Sequence, residues 1–419
     1  MTGLGVNQMV FHTNNRPVVP CSSTTPQSEY KADLVMVGVG LSSCSLVLAL
    51  IEAGYSGEIV MLEQADVVNT NKTWCYWSDK HMPRYLSPLV SKRWRHWRVV
   101  ETKQSVSNNE HGYHCIKAAD FFNYCFERFA NHGKVTMLFN KAVDDIAVGT
   151  STVTVRSNDF SITATHGFDS RPPPLTNVGR GSLLQCFTGA WVESTEPIFH
   201  PQTAHLMADI KTIGDAIEFI YILPLSRREA LIEVTQFSPK AKSLQHLKQM
   251  TLEVLDTFGL SSEDVTGWEG GILPMTTHID PTIVKQKGSN TINQWRNIGI
   301  RGNCIRAATG YAFSQIQQDS QRIARQITGQ EIATYEEKKI SLNAGLYTWL
   351  DSIFLMALTQ RPELAPEVFK RMARGTTGEQ FARFMTERAS VLDLLKVIGS
   401  MPKRAFVRAA WETMRWNRR

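Results

Sequence analysis

Apolar positions are most densely patterned in residues 33–63, DLVMVGVGLSSCSLVLALIEAGYSGEIVMLE. The run predicts a buried strand, a Gly-x-Gly turn, a helix, and a second strand that ends on the acid Glu63. Leu34 to Leu50 is apolar apart from small residues, but Asp33 and Glu52 bracket it and two glycines interrupt it. That falls short of the about 20 apolar residues a spanning helix needs. No other segment is long enough to span. A second strand and helix are predicted at GYHCIKAADFFNYCFERFA, and residues 150–166 alternate polar and β-branched positions as in a solvated hairpin. AIEFIYIL and EALIEVTQF, joined by PLSRR, read as a hairpin in a second, mostly antiparallel sheet. A helix from about Ser243 to Phe258 follows, then EGGILPMT at 269–276, then NIGIRGNCIRAATGYAFSQIQQDSQRIARQI as strand, glycine-containing loop and long helix. From Leu342 onward the spacing is helical, as in LYTWLDSIFLMAL and LLKVIGSMP.

These patterns predict an α/β chain of several parts. A Rossmann-like dinucleotide domain is assembled from 31–75, 110–170 and 290–330, and a substrate-binding domain with an antiparallel sheet from 76–109 and 175–289. RPPPLT at 171–176 is a rigid linker between them. Residues 340–419 form a C-terminal helical region, and 1–30, rich in Ser, Thr, Asn and Pro, read as a disordered tail without the basic and apolar regions of a secretory signal. In NKTWCYWSDKHMPRYLSPLVSKRWRHWRVV, a strand is expected to present Trp94 and Arg98 on one face of a sheet.

At 419 residues the chain exceeds a typical single core, and 42% hydrophobic residues supply ample material for a large one. A net charge of +6 is too mild to argue for nucleic acid, although Arg93, Arg95 and Arg98 interleave with Trp94 and Trp97. The seven cysteines have neither C-x-x-C nor zinc spacing, so no metal site is expected, and an odd number without a framework fits a reducing cytosol. The tail carries Lys403, Arg404, Arg408, Arg415, Arg418 and Arg419 against one Glu412, with Phe406, Trp411 and Trp416 between them. Such a helix suits either a bilayer interface or a core cap with a solvated basic face.

In the first unit Gly38 permits the tight turn and Gly40 lets the backbone approach a pyrophosphate. The helix that opens at Leu41 and Ser42 points its positive end at the phosphates, and Glu63 is placed to accept from ribose hydroxyls. Ser43 stands where the usual fingerprint has its third glycine. A chain that returns near residue 300 for a second glycine-bearing contact wraps FAD, whereas NAD needs only the first half.

Several segments together resemble the lycopene cyclase family of carotenoid-pathway flavoproteins, especially its bacterial β-cyclase branch. They are DLVMVGVGLSS, NKTWCYW, FIYILPLSRREALIEVTQFSP, EGGILPM, TGYAFSQIQ, and a C-terminal series that includes LDSIFLMAL and MPKRAFVRAA. The resemblance implies a fold related to aromatic hydroxylases and halogenases, one FAD, NAD(P)H as reductant, and a tunnel for a long hydrocarbon. The implied reaction protonates a terminal double bond of lycopene, closes a ring through a carbocation and loses a proton, with no net oxidation. The family's acid falls on Glu233, where a carboxyl beside an apolar tunnel would hold its proton at neutral pH. Gly302 is expected to allow close approach to the flavin phosphates, and Thr309, Gly310 and Tyr311 to open a helix whose dipole faces the isoalloxazine. The chain departs from the family at Val234, where one branch has a second acid, at Ala307 and Ala308 in place of Pro-Ser, and at Ser43. These departures leave open a cyclase of another polyene or isoprenoid. A flavin monooxygenase or halogenase on the same fold is the chief rival from a different enzyme class, although the halogenase Trp-x-Trp-x-Ile-Pro motif is missing, and an idle membrane or pigment-binding flavoprotein is a third reading. A forty-carbon hydrocarbon substrate implies a cytoplasmic enzyme held peripherally on the inner membrane through the basic, Trp-bearing tail.

Overall fold

The computed structural model describes residues 28–157, 159–175, 179, 181–277, 294–330 and 334–416. Most of the N-terminal tail, Thr176 of the linker, residues 278–293, and Arg418 and Arg419 lie outside the described residues.

One seven-stranded sheet is built around Ser28–Val37, which pairs in parallel with Ile59–Leu62 on one side and Phe160–Asp169 on the other. Leu34 to Val37 and Ile59 to Leu62 are buried throughout, as expected for parallel strands covered on both faces. Val135–Leu138 extends one edge, Asp145–Val148 and Val153–Arg156 form an antiparallel meander on the other, and Trp295–Asn297 pairs with Phe160–Asp169. Helix Leu41–Glu52 follows the first strand, and helix Phe313–Ile327 packs on it with Phe313, Ile316, Ser320, Ile323 and Ala324 buried on one stripe. Gln317 ties the two helices together, donating to Ser45 Oγ at 2.8 Å while accepting from the Tyr85 hydroxyl at 2.9 Å.

The second seven-stranded sheet runs in the order Val265–Met275, Leu183–Glu193, Glu229–Ser238, Ala216–Pro224, Thr203–Ile213, His96–Val99 and Thr102–Ser105. The hairpin 216–238 forms as its alternation predicts. Helix Leu244–Thr257, capped by Ser243, covers one face and buries Leu247 and Leu255 against Val234, Ile232 and Cys186. The opposite face receives the odd-numbered residues of Glu229–Ser238, among them Leu231 and Phe237.

The 92–99 segment differs from the single strand expected of it. Lys92–Trp94 pairs with Tyr113–Lys117 in a small third sheet, whereas His96–Val99 joins the large one, so the chain changes sheets at Arg95. Trp94 and Trp97 both turn inward and are fully buried, while Arg98 is exposed. The bend lets one short stretch join two sheets and bury both tryptophans in the same core.

Helices Thr334–Gln360, Ala365–Arg374, Gly378–Met385, Val391–Ser400 and Lys403–Trp416 close the open side of the second sheet. Among the described residues no helix is long and apolar enough to cross a membrane.

Candidate active site

The glycine turn forms a cradle at the end of the first strand. Gly38 has φ +91°, and a Cβ there would meet Ser170 Oγ at 2.7 Å, so this turn requires glycine. Space above Gly40 is open: nothing lies within 4 Å of where its Cβ would be. Helix Leu41–Glu52 points its free N–H groups there, with no acid in its first turn. Ser43 is buried and donates to Ser170 Oγ at 2.9 Å, which satisfies the hydroxyl that replaces a glycine. Glu63 Oε2 accepts from Val39 N–H at 2.9 Å and Oε1 from Ala65 N–H at 3.1 Å. This fixes the turn and leaves carboxylate lone pairs free for ribose hydroxyls.

The later segment meets this cradle. A Cβ on Gly299 would lie 2.0 Å from Ser42 Oγ, and one on Gly302 would lie 2.5 Å from the Asn297 carbonyl oxygen. Gly302 is therefore required by the chain's own backbone. The buried Asn297 Oδ1 has no protein partner. Thr309, Gly310 and Tyr311 do not open the helix; they lie in a turn before it, closed by Arg306 N–H to Tyr311 O at 2.9 Å, and the helix begins at Phe313. Asp351 anchors the turn from the C-terminal helices, accepting from Ala308 N–H at 3.2 Å and pairing with Arg306 at 3.4 Å. Open space at a helix N-terminus, glycines that admit no side chain and a braced acid fit the pyrophosphate and ribose of FAD.

Gly310, at φ +71°, presses this turn onto the second sheet: a Cβ there would lie 2.2 Å from Gln185 Oε1. Around that contact the sheet carries its acids. Glu233 and Glu269 are buried, and both pair with Gly189, on its two sides. Tyr221 lies opposite Glu233 on the next strand. Thr235 Oγ1 donates to Glu233 Oε1 at 2.6 Å, while Glu269 Oε2 accepts from Thr73 Oγ1 at 2.6 Å and Trp191 Nε1 at 3.3 Å. Burial raises the Glu233 carboxyl to about 8, helped by the Glu269 charge and opposed by the Thr235 hydrogen bond. Burial raises Glu269 to about 7 against its hydrogen bonds from Thr73 and Trp191 and the charge of Lys72. Glu233 therefore retains a proton at neutral pH and is equipped to act as a general acid.

Tyr113, Tyr221 and Tyr311 cluster beside Glu233. The Tyr311 and Tyr113 hydroxyls are 3.1 Å apart, Tyr221 is hydrogen-bonded to Tyr311, and burial holds all three phenols well above their usual range. Tyr221 and Tyr311 also form, with Trp77 and Phe237, the inner end of an apolar cavity of about 450 Å³. Glu233, paired with Tyr221 on the neighbouring strand, adjoins this end. The cavity runs outward between the C-terminal helices past Phe354, Phe406 and Val397. Ile398 and Val407 line it and are also 49% and 69% exposed, so its mouth opens on the surface between the last two helices. Val391, Leu392, Leu395, Trp411 and Met414 are exposed around it, with Lys396, Lys403, Arg404 and Arg408 at their flanks. The tail differs from a simple basic helix: Phe406 turns into the cavity and the preceding helix supplies most of the exposed apolar surface. The Trp416 side chain lies outside the described residues.

Residues 33–411 match the lycopene cyclase protein family. The chain belongs to that family. Solved structures similar to it share the fold at low identity. A geranylgeranyl bacteriochlorophyll reductase-like protein from Thermoplasma acidophilum is 12% identical with a TM-score of 0.55, covering 91% of this chain and 99% of that one. OxyS anhydrotetracycline hydroxylase from Streptomyces rimosus is 13% identical with a TM-score of 0.54, covering 85% of this chain and 76% of that one. HpxO from Klebsiella pneumoniae, a variant complexed with FAD, is 12% identical with a TM-score of 0.52, covering 88% and 99%. No curated protein matches significantly in sequence. This lycopene cyclase family member thus has the mixed α/β fold of FAD-binding hydroxylases and reductases.

Of the residues singled out in the sequence, Gly38, Gly40, Leu41, Ser42 and Glu63 form one cradle, with Gly299 and Gly302 packed beside it. Tyr311 bridges from there to Glu233. Sequence reasoning missed Glu269, Tyr221, Gln185 and the Arg306–Asp351 pair. Glu269 opens the quoted segment EGGILPM, so its presence was visible and its strand partner was not. Val234 faces away from the site, against Leu247, and a second acid there would be buried under the helix.

Proposed function

We propose that this family member is a lycopene β-cyclase that closes the ends of lycopene to β-rings with FAD bound and no net oxidation. The observation that supports this most is Glu233, a buried carboxyl held protonated near neutrality beside the blind end of an apolar cavity. A polyene end seated against Tyr221 and Tyr311 receives the Glu233 proton at its terminal double bond. The cation closes on the neighbouring double bond, and loss of a proton from the ring restores neutrality, so the molecular formula is unchanged. An alkene is a very weak base, and the site must stabilise the cation as it forms. When bound and reduced, FAD supplies a fixed negative charge in this water-poor space. The Gly38–Ser42 turn and Glu63 would hold the nucleotide half, and the Thr309–Tyr311 turn, pressed on the second sheet, would meet the other half. NAD(P)H is the proposed source of reducing electrons. The Trp77, Phe237 and Phe381 side chains exclude water and hold the hydrocarbon by area burial.

The cavity mouth favours a peripheral place on the cytoplasmic face of the inner membrane. Exposed Val391, Leu392, Leu395, Val407 and Trp411 would sink among acyl chains while the lysines and arginines meet anionic headgroups. Lycopene would then pass from bilayer to cavity without crossing water. The test is cyclisation of lycopene by the purified protein with reduced FAD, beside Glu233→Gln.

A further inference from the structure

One row of residues runs across the second sheet as Glu269, Gly189, Glu233 and Tyr221. Cyclisation as described uses only one of its two carboxyls. Strands 265–275 and 229–238 are separated by 183–193, so their backbones stand about 10 Å apart. Between them the row holds a glycine. A Cβ at Gly189 would lie 2.9 Å from Leu231 Cδ1, 3.2 Å from Glu233 Cβ and 3.4 Å from Glu269 Cγ, so both acids lean over that position beside the Leu231 methyl.

The two carboxyls are supported differently. Glu269 is met by the Thr73 hydroxyl and the Trp191 indole N–H, with Lys72 nearby, and the Lys117 ammonium lies 4.6 Å from the Trp191 ring centre. Against its burial, the two donors and the Lys72 charge favour its ionised form. Glu233 has the Thr235 hydroxyl, and its other titratable neighbours are the Tyr221 and Tyr311 phenols, neutral at pH 7, while the neutral Cys75 thiol lies on the Glu269 side. An unlike environment for two close carboxyls separates their roles.

We infer that Glu269 is a positioning residue: it is the first of the two carboxyls to ionise, and its charge across Gly189 then keeps the proton on Glu233 until substrate arrives. The role in cyclisation rests on the lycopene cyclase reading, whereas the coupling of the two carboxyls does not.

Infrared spectroscopy of the FAD-loaded protein tests the coupling without substrate, by following the protonated-carboxyl band that Glu233→Gln removes. In Glu269→Gln the midpoint of this band should move to lower pH by about one unit, a tenfold change in proton affinity. Glu269→Asp keeps the charge and should keep the higher midpoint. Thr73→Val removes a donor that holds Glu269 ionised, so Glu269 takes up a proton more readily and the Glu233 midpoint should again fall. This variant decides the matter should Glu269→Gln not fold. An unmoved Glu233 midpoint in folded Glu269→Gln or Thr73→Val overturns the inference. With lycopene, the alkaline limb of kcat/KM should move by the same amount as the band. Band shifts in these variants beside a wild type that makes no cyclised product would leave the carboxyl pair standing and defeat the lycopene reading alone.

Discussion

Tyr221 lies directly across from Glu233 on the neighbouring strand, and its ring closes the inner end of the apolar cavity. The acid is thereby kept from water by a wall whose hydroxyls are already engaged with one another. Tyr221→Phe keeps that wall and loses one hydrogen bond to Tyr311. It should cost about 1 kcal/mol in a urea titration and leave cyclisation within about tenfold of wild type. A complete loss of activity in a folded Tyr221→Phe protein would show that the hydroxyl itself takes part.

Stability should fall as pH rises from about 5 to about 8. Glu233 goes from its ordinary value of 4.5 to about 8 on folding, and Glu269 from 4.5 to about 7. Across that window the unfolded chain has released protons that the folded protein retains, so raising the pH favours unfolding. Each such group contributes a slope of up to about 1.4 kcal/mol per pH unit. Denaturant titrations at several pH values should show this decline, and Glu233→Gln should flatten it. A stability that rises over the same range would contradict the burial of these acids in neutral form.

The glycine cradle and the hairpin 216–238 were legible because their signals are local: a strand, turn and helix in succession, and alternation with a tight turn. Alternation also placed Leu231, Glu233, Thr235 and Phe237 on one face. Glu269 was visible as a residue, but its relation to Glu233 depends on strand 183–193 inserting between two strands far apart in sequence. No local pattern encodes that order. Arg95 was read through because His96 and Trp97 continue a strand-like composition, and only the pairing of 92–94 and 96–99 in different sheets reveals the break. The outward face of Val391–Ser400 was not singled out because helical spacing does not say which apolar positions are covered; the structure buries Leu394 and Val397 and leaves Leu392 and Leu395 in the open.

Gly310 should tolerate no side chain. Its φ of +71° disfavours any L-residue, and a Cβ would fall 2.2 Å from Gln185 Oε1. Gly310→Ala should push the turn off the sheet and weaken FAD binding at least about tenfold, about 1.4 kcal/mol. Flavin fluorescence titration measures this. Unaltered affinity would place the flavin away from the Thr309–Tyr311 turn.

Membrane attachment should depend on the helix before the basic tail as much as on the tail. Leu392 and Leu395 are 71% and 59% exposed beside the cavity mouth. Replacing both with Asp removes apolar area worth roughly 1.5–3 kcal/mol per leucine if fully inserted. Binding to vesicles containing anionic lipid should weaken at least about tenfold, with the circular dichroism spectrum unchanged. Equal sedimentation with vesicles would assign attachment elsewhere.

The most direct measurement incubates the protein with lycopene, reduced FAD and no oxygen, and determines product mass and reductant consumed, with Glu233→Gln in parallel. The account predicts cyclised products of the same mass as lycopene, in excess of the reductant used, and a loss of about 100-fold or more in Glu233→Gln with FAD still bound. An oxygen requirement with an oxygenated product, reductant consumed one for one with product, or a Glu233→Gln variant as active as wild type would contradict it.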